Sequence, residues 1–139
     1  MEETDLAYAA GIVDGEGCVY IYRNGNGHYS MRLSVDMTDL IAIRWLRETF
    51  GGSTYTWQPS GNNKRMFRWG VFGFNAQEFL RLILPYMKTK KSQAEVAIEF
   101  QDLKQEKFNQ HKQKPAWLIE AEAILHSQMR ELNRKGISL

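Results

Sequence analysis

The sequence predicts an α+β fold: a four-stranded, mostly antiparallel sheet with helices packed on one face and extra helices at the C-terminal end. Three observations predict it. Two pairs of segments alternate apolar and polar or aromatic residues, each pair joined by a turn-rich stretch, which is the pattern of two hairpins. A stretch with helical spacing precedes each hairpin. After the second hairpin only helical spacing recurs, broken by prolines.

In chain order, Thr4 or Asp5 is positioned to cap a first helix, with Leu6, Ala9 and Val13 toward the core. Its opposite stripe, Ala7, Ala10, Gly11 and Asp14, is uniformly small. A mid-helix glycine costs about 1 kcal/mol relative to alanine, and close approach of another backbone is the usual compensation. Gly15-Glu16-Gly17 ends the helix. Cys18 to Arg23 reads as a strand, Asn24-Gly25-Asn26-Gly27 as a tight turn, and Ser30 to Met37 as a strand with Met31, Leu33, Val35 and Met37 on one face. Thr38 or Asp39 caps a second helix that Gly51-Gly52 closes. Ser53 to Gln58 and Arg65 to Phe74 form the second hairpin, around a loop from Pro59 to Lys64. Helices follow from Asn75 to Leu84, from Ser92 to Glu106, and from Pro115 to about Asn133. The order is αββαββ followed by three helices, with a weak internal repeat of the hairpin unit.

The chain has 139 residues, a length that fits one domain spanning 1–139, with a C-terminal helical extension from about 107. No run approaches the roughly 18–20 apolar residues of a membrane span, the acidic start Met1–Asp5 is unlike a secretory signal, and the single Cys18 excludes an intrachain disulfide. A soluble, intracellular protein is expected, in a phage, bacterial or archaeal cytoplasm or an organelle, without a membrane partner or an organic cofactor. The net charge of +2 hides a segregation: residues 1–16 carry five acids and no base, whereas residues 17–91 hold eleven Lys and Arg against four acids. An acidic head on a basic middle fits a polyanion-binding surface with a carboxylate site beside it, or chance segregation of surface charge.

The most specific string is Ala9-Ala10-Gly11-Ile12-Val13-Asp14-Gly15-Glu16-Gly17. Read as AAGIVDGEG, it resembles the motif that names the LAGLIDADG homing endonuclease family. LSVDMTD (33–39), FGG (50–52), WGVFGFNAQEFL (69–80), LPYMKTKKSQA (84–94) and ELNRKG (131–136) follow in the order and spacing of that family and carry the resemblance over most of the chain. The element order matches as well, so a homing-endonuclease-like αββαββα fold is implied.

The resemblance implies a metal site at Glu16 with the backbone carbonyl of Gly15, holding Mg²⁺ as two or three divalent ions per dimer. Physical chemistry supports it: two Glu16 carboxylates brought together at paired small stripes would repel, and hard divalent cations relieve that repulsion. Asp14 is read as structural, holding the helix end. The single motif copy implies a homodimer that pairs through Ala7, Ala10, Gly11 and Asp14 on a near-palindromic duplex. The resemblance also places a lysine beside the scissile phosphate, and within Lys88-Thr89-Lys90-Lys91 the spacing to Leu84-Pro85 and Gln93-Ala94 selects Lys90. Asp39 stands where a polar residue orders water, and reads equally well as a helix cap. Where some members carry an arginine early in the second helix, this chain has Ile43, with Arg44 adjacent.

DNA reading is expected on the polar sheet face, because a two-stranded ribbon fits a major groove. Ser30, Arg32, Ser34 and Asp36 supply it from the second strand. Pairing and the resemblance add Tyr20, Tyr22 and Asn24 from the first strand and Thr54, Thr56 and Gln58 from the third. On the fourth strand Phe67, Trp69 and Val71 are read as inward and Arg68 as facing DNA. Lys107, His111, Lys112 and Lys114 are candidates for outer phosphate contacts or a solvated linker. The implied function is a site-specific, metal-dependent DNA endonuclease that cuts both strands of a long double-stranded target, leaves short 3′ overhangs and mobilises its own intron or intein. The alternatives on the same fold are an RNA-binding intron-splicing maturase and a non-cleaving DNA-binding regulator. The presence of both Glu16 and Lys90 favours cleavage.

Overall fold

The computed structural model describes residues 1–104 and 114–134. The expectations for Lys107, His111 and Lys112, and the start of the C-terminal extension near 107, lie outside the described residues. The elements run α1 (Glu3–Glu16), β1 (Gly17–Arg23), β2 (Tyr29–Met37), α2 (Leu40–Phe50), β3 (Ser53–Trp57), β4 (Met66–Phe72), α3 (Gly73–Ile83), a short 3-10 turn (Leu84–Tyr86), α4 (Lys91–Leu103) and α5 (Ala116–Asn133). The order matches the predicted one, and the sheet, ordered β1-β2-β4-β3, is antiparallel at every pairing.

Residues directly opposite each other in antiparallel strands share a face. Val19, Ile21, Leu33, Val35, Trp69 and Val71 therefore form one apolar surface, all of it buried under the helices. Ala9 and Val13 of α1, Ile43 and Leu46 of α2, Leu80 and Ile83 of α3 and Phe100 of α4 close over it. In the fourth strand Trp69 is fully buried and Arg68 lies on the opposite side, which is the orientation expected of that strand. A run of edge-to-face rings, Trp69–Phe79–Phe50–Trp45–Tyr8, joins β4 to α3, α2 and α1 at centroid spacings of 5.0, 4.8, 5.8 and 4.8 Å. The indole N–H of Trp69 donates to the Gly51 carbonyl at 2.7 Å, so the end of α2 is fixed to the core. Gly51 and Gly52 have φ of 76° and 91°, the left-handed conformation predicted for the stop of α2.

Two local expectations are corrected. The first helix begins at Glu3 with Glu2 as its N-cap residue and no side-chain cap bond, so neither Thr4 nor Asp5 caps it. Of the small stripe, Ala10 is fully buried in its own chain, because α1 lies deep enough on the sheet for Ala9 and Ala10 both to touch the core.

Helix α5 packs on α4 and on the outer edge of β1, where Asn133 Nδ2 donates to the Val19 carbonyl at 2.8 Å. Its anchor is ionic. Glu122, 1% exposed, accepts from Lys114 Nζ at 2.8 Å and from Lys104 Nζ at 3.3 Å, and Lys104 also donates to the Tyr29 carbonyl at 2.7 Å. Burial pushes the Lys104 ammonium below the ordinary lysine range, against the opposing pull of Glu122. Removing one partner of a buried charge cluster costs about 3 kcal/mol or more, because the remaining charges stay desolvated. Glu122→Gln is therefore expected to lower the free energy of unfolding by that amount, read as a lower urea midpoint at an unchanged m-value; a midpoint equal to wild type would show the cluster to be energetically idle.

Candidate active site

The C-terminal end of α1 is held by one side chain. Asp14 accepts the backbone N–H of Lys88 at 2.8 Å and of Lys90 at 3.0 Å through its two carboxylate oxygens, and its own carbonyl accepts from Thr89 Oγ1 at 3.2 Å. Asp14 is thus the structural residue expected, but its side chain points into its own chain and not along an outer stripe. A helix end leaves backbone carbonyls unpaired, and a nearby cation complements them. Lys90 does this: its ammonium donates to the Gly17 carbonyl at 2.5 Å and to the Val13 carbonyl at 3.4 Å. Among the three lysines of the basic run, Lys90 is the one aimed at the motif, while Lys88 and Lys91 are exposed.

Gly15 and Glu16 are exposed at this end, and the Glu16 carboxylate has no hydrogen bond or ion pair among the described residues. Gly17 then enters β1 directly. A Cβ there would meet the Val13 carbonyl oxygen at 2.7 Å, so the helix-to-strand passage admits only glycine without displacement. Among the described residues no three His, Cys, Asp or Glu side chains converge. One chain therefore offers a single hard carboxylate with an adjacent backbone carbonyl, a donor set that suits a cation such as Mg²⁺ only when further oxygens come from outside the chain.

Asp39 caps α2, its Oδ1 accepting from Ile41 N–H at 2.9 Å and Ala42 N–H at 3.3 Å. Because Gly17 pairs with Val35 and β2 runs on to Met37, Asp39 stands at the same end of the sheet as Glu16. Ile43 is buried core, and Arg44 is exposed beside it.

The open face of the sheet carries Tyr20, Tyr22, Ser30, Arg32, Ser34, Asp36 and Arg68, as expected. Asn24 joins them through a 2.8 Å bond from its Nδ2 to Ser30 Oγ. Three expectations are corrected. Thr54 and Thr56 pair with Trp69 and Phe67, so they lie on the helix side of the sheet, beside Arg44 and Arg47 of α2. Gln58 lies beyond β3, where its Nε2 donates to the Asn63 carbonyl at 2.6 Å and braces the loop. Ser34 is on the open face but only 6% exposed.

The residues missed on that face are Tyr55 and Trp57, whose partners in β4 are Arg68 and Met66. The Arg32 guanidinium lies 4.8 Å from the Phe72 ring centre and 5.9 Å from that of Tyr55. That of Arg68 lies 5.1 Å from Trp57 and is bound bidentately by Asp36 at 2.6 and 2.8 Å. This bond holds Arg68 above the ordinary arginine range. The spacing Tyr55-Thr56-Trp57 puts the two rings on one face of the strand, and the pairing with β4 makes that face the open one.

The archaeal intron-encoded homing endonuclease I-Vdi141I, solved with DNA, superposes at a TM-score of 0.76 over 98% of this chain and 88% of its own, at 16% identity. This chain has the homing-endonuclease fold. The homing endonuclease I-CvuI, in complex with its target in the presence of calcium, shares the fold at a TM-score of 0.75 and 22% identity over 98% of this chain and 86% of its own. The LAGLIDADG homing endonuclease I-GzeII, in complex with its DNA target, does so at 0.71 and 16% identity, with 96% of this chain matching 46% of that one. No protein-family model matches the sequence, and no curated protein does. No helix among the described residues is long and apolar enough to cross a membrane.

Gly17→Ala tests the passage at the end of α1. The added methyl must displace backbone, so about 2 kcal/mol of stability is expected to be lost in urea unfolding, a magnitude typical of overpacking. Gly15→Ala, where nothing lies within 4 Å of an added Cβ, is expected to be neutral or stabilising.

Proposed function

We propose that this chain is a site-specific DNA endonuclease that acts as a metal-dependent homodimer and hydrolyses both strands of a long, near-palindromic duplex. One observation carries the reading: Glu16, exposed and unpaired, stands at the end of α1 within reach of the backbone segment to which Lys90 is bonded. The likeness of fold to proteins solved with DNA supports it.

The dimer would form along α1. With Ala10 withdrawn into the core, the exposed small ridge is Ala7, Gly11 and Gly15, and an added Cβ on either glycine meets nothing within 4 Å of its own chain. The helix therefore gains nothing within the chain for the cost of Gly11, and a second copy is the partner that would gain from the space. Pairing there brings two Glu16 carboxylates together, and with the Gly15 carbonyls they would hold divalent ions, read as Mg²⁺, two or three per dimer. Such an ion, when bound, lowers the pKa of water and stabilises the leaving oxygen. Lys90 would place positive charge beside the phosphate, and Asp39, whose Oδ2 lies outside its cap bonds, would orient water. The duplex would lie across the open face, read by Tyr20, Asn24, Arg32, Asp36 and Arg68, with Tyr22 and Ser30 at the far end of that face.

Incubation with a plasmid library in Mg²⁺ is expected to give discrete double-strand cuts, and Glu16→Gln to slow cutting roughly a thousandfold while leaving DNA binding intact, the scale expected for losing several kcal/mol of transition-state stabilisation. Absence of cutting by wild type, with DNA or RNA binding retained, would overturn the nuclease reading in favour of a regulator or a maturase. The dimer has its own test. Gly11→Leu is expected to fold at least as stably as wild type, because the space is open and glycine is the poorer helix former by about 1 kcal/mol. It is also expected to sediment as a monomer and to lose cutting. A cutting-competent Gly11→Leu dimer would refute the ridge as the interface.

A further inference from the structure

At the end of the sheet opposite Glu16, β4 stops at Phe72 across from Arg32, and Gly73, at φ 54°, turns the chain straight into α3. Tyr29, Ser30 and Met31 of β2 run on past the end of β4. The last turn of α4 covers this gap, and a cleft remains between them, lined by Tyr22, Ser30, Phe72, Gly73, Gln101 and Lys104 among others.

Gln101 is the unusual member. It is 3% exposed, and its side-chain amide has no hydrogen bond among the described residues, whereas the neighbouring buried Gln77 donates to the Ile98 carbonyl and to Asp102. A buried amide without a partner costs about 1–3 kcal/mol, so its retention calls for a partner supplied from outside. Its atoms open onto the cleft and are not sealed in the core.

The other polar groups around it are donors. Lys104 gives two of its three N–H bonds to the Tyr29 carbonyl and to Glu122, which leaves one. Ser30 Oγ accepts from Asn24, so its own O–H is free to donate. Tyr22 brings a phenol. Among the described residues no carboxylate lines the cleft. Glu122 accepts from Lys104 and is shared with Lys114, so these three described side chains together keep a net positive charge.

We propose that this cleft binds a phosphate group, with Gln101, Lys104, Ser30 and Tyr22 as donors, and that the phosphate belongs to the backbone of the duplex. The choice of source rests on the nuclease reading. Tyr22 lies five residues along β1 from Gly17, about 17 Å at the rise of a strand. That distance is about five base pairs along a duplex, which puts the contact on the outer flank of each half-site, where it sets register without reading sequence.

Two measurements test it. In the first, inorganic phosphate is titrated into the free protein while the Gln101 side-chain amide is followed by NMR, with chloride at matched ionic strength as control. A saturable shift with phosphate alone is expected. No shift beyond the chloride control overturns the proposal, whatever the protein does to DNA. In the second, wild type and Gln101→Leu are compared for binding to duplexes. The variant is expected to melt at or above the wild-type temperature, since it loses an amide that pairs with nothing. It should bind all duplexes about tenfold more weakly, the loss of one hydrogen bond to a charged group. An uncharged methylphosphonate at the outer-flank position should erase that difference. A Gln101→Leu protein that melts well below wild type and binds DNA as tightly overturns the proposal, because the amide is then structural. A phosphate shift with no effect of Gln101→Leu on duplex binding rejects DNA as the source and keeps the site for a free phosphate or nucleotide. Failure to bind any duplex sinks the nuclease reading and leaves the phosphate titration standing as an independent result.

Discussion

At the end of the first helix a single carboxylate takes two backbone N–H groups from a segment more than seventy residues downstream. Charge-assisted bonds of this kind contribute about 1.5–3 kcal/mol each when desolvated and less at a partly exposed site, but their geometric consequence exceeds their energy. Asp14 fixes where Lys88 to Lys90 lie, and so delivers the Lys90 ammonium to the Gly17 carbonyl. Gly17, with no room for a Cβ against Val13, then passes from helix to strand without a linker. Glu16 is the last residue of a helix whose inner face is buried and the residue before a strand whose outer edge is sealed by Asn133. Its backbone cannot move unless the helix or the sheet moves with it, which is the rigidity that the proposed metal-binding role of Glu16 would need.

The open face of the sheet is held with similar economy. Arg32 and Arg68 are long side chains that would lose considerable rotamer entropy on binding a rigid partner. Here they are ordered beforehand: Arg32 against Phe72 and Tyr55, Arg68 by Asp36 and the ring of Trp57. Gly70 leaves the seat for Arg32, since an added Cβ would lie 3.4 Å from its guanidinium. The arrangement has a cost, because the Arg32 Nε is buried with no hydrogen-bond partner among the described residues. An unpaired donor beside a stacked guanidinium is the kind of local strain that a binding surface retains in exchange for preorganisation.

What was legible in the sequence follows from how far each signal reaches along the chain. In β2 the alternation of Met31, Leu33 and Val35 with polar residues contrasts sharply, so both its face and its pairing could be read. Asp39 bonds to groups two and three residues away, so its role as a cap was visible. In β3 the pattern Ser-Thr-Tyr-Thr-Trp has no apolar face, every residue of this edge strand is exposed, and only its register against β4 decides that Tyr55 and Trp57 face outward. Ala7 and Ala10 are the same residue type three positions apart, and the depth at which α1 sits on the sheet separates the exposed one from the buried one. Glu122 was invisible because one of the lysines that hold it comes from another element, and Gln101 because the proposed partner that would explain it lies outside the chain.

The segregation of charge along the chain acquires a mechanical meaning from this geometry. Of the acids in the first sixteen residues, Asp14 is turned inward and satisfied, and Glu16, two residues later, is turned outward and unsatisfied. The same helix end thus closes one carboxylate and opens the other. Closing Asp14 requires only this chain. Opening Glu16 leaves a charge with a single adjacent carbonyl, beside a ridge of Ala7, Gly11 and Gly15 that has nothing of its own chain to pack against. The ridge runs to the end of α1 at which Glu16 stands, and in the proposed dimer both deficits would be removed by one event, the approach of a second α1 about a two-fold axis. On that axis the two Glu16 carboxylates would repel unless a divalent ion lay between them. Metal and partner would then stabilise each other's binding, so that a lone chain would be both a poor metal ligand and a poor nuclease.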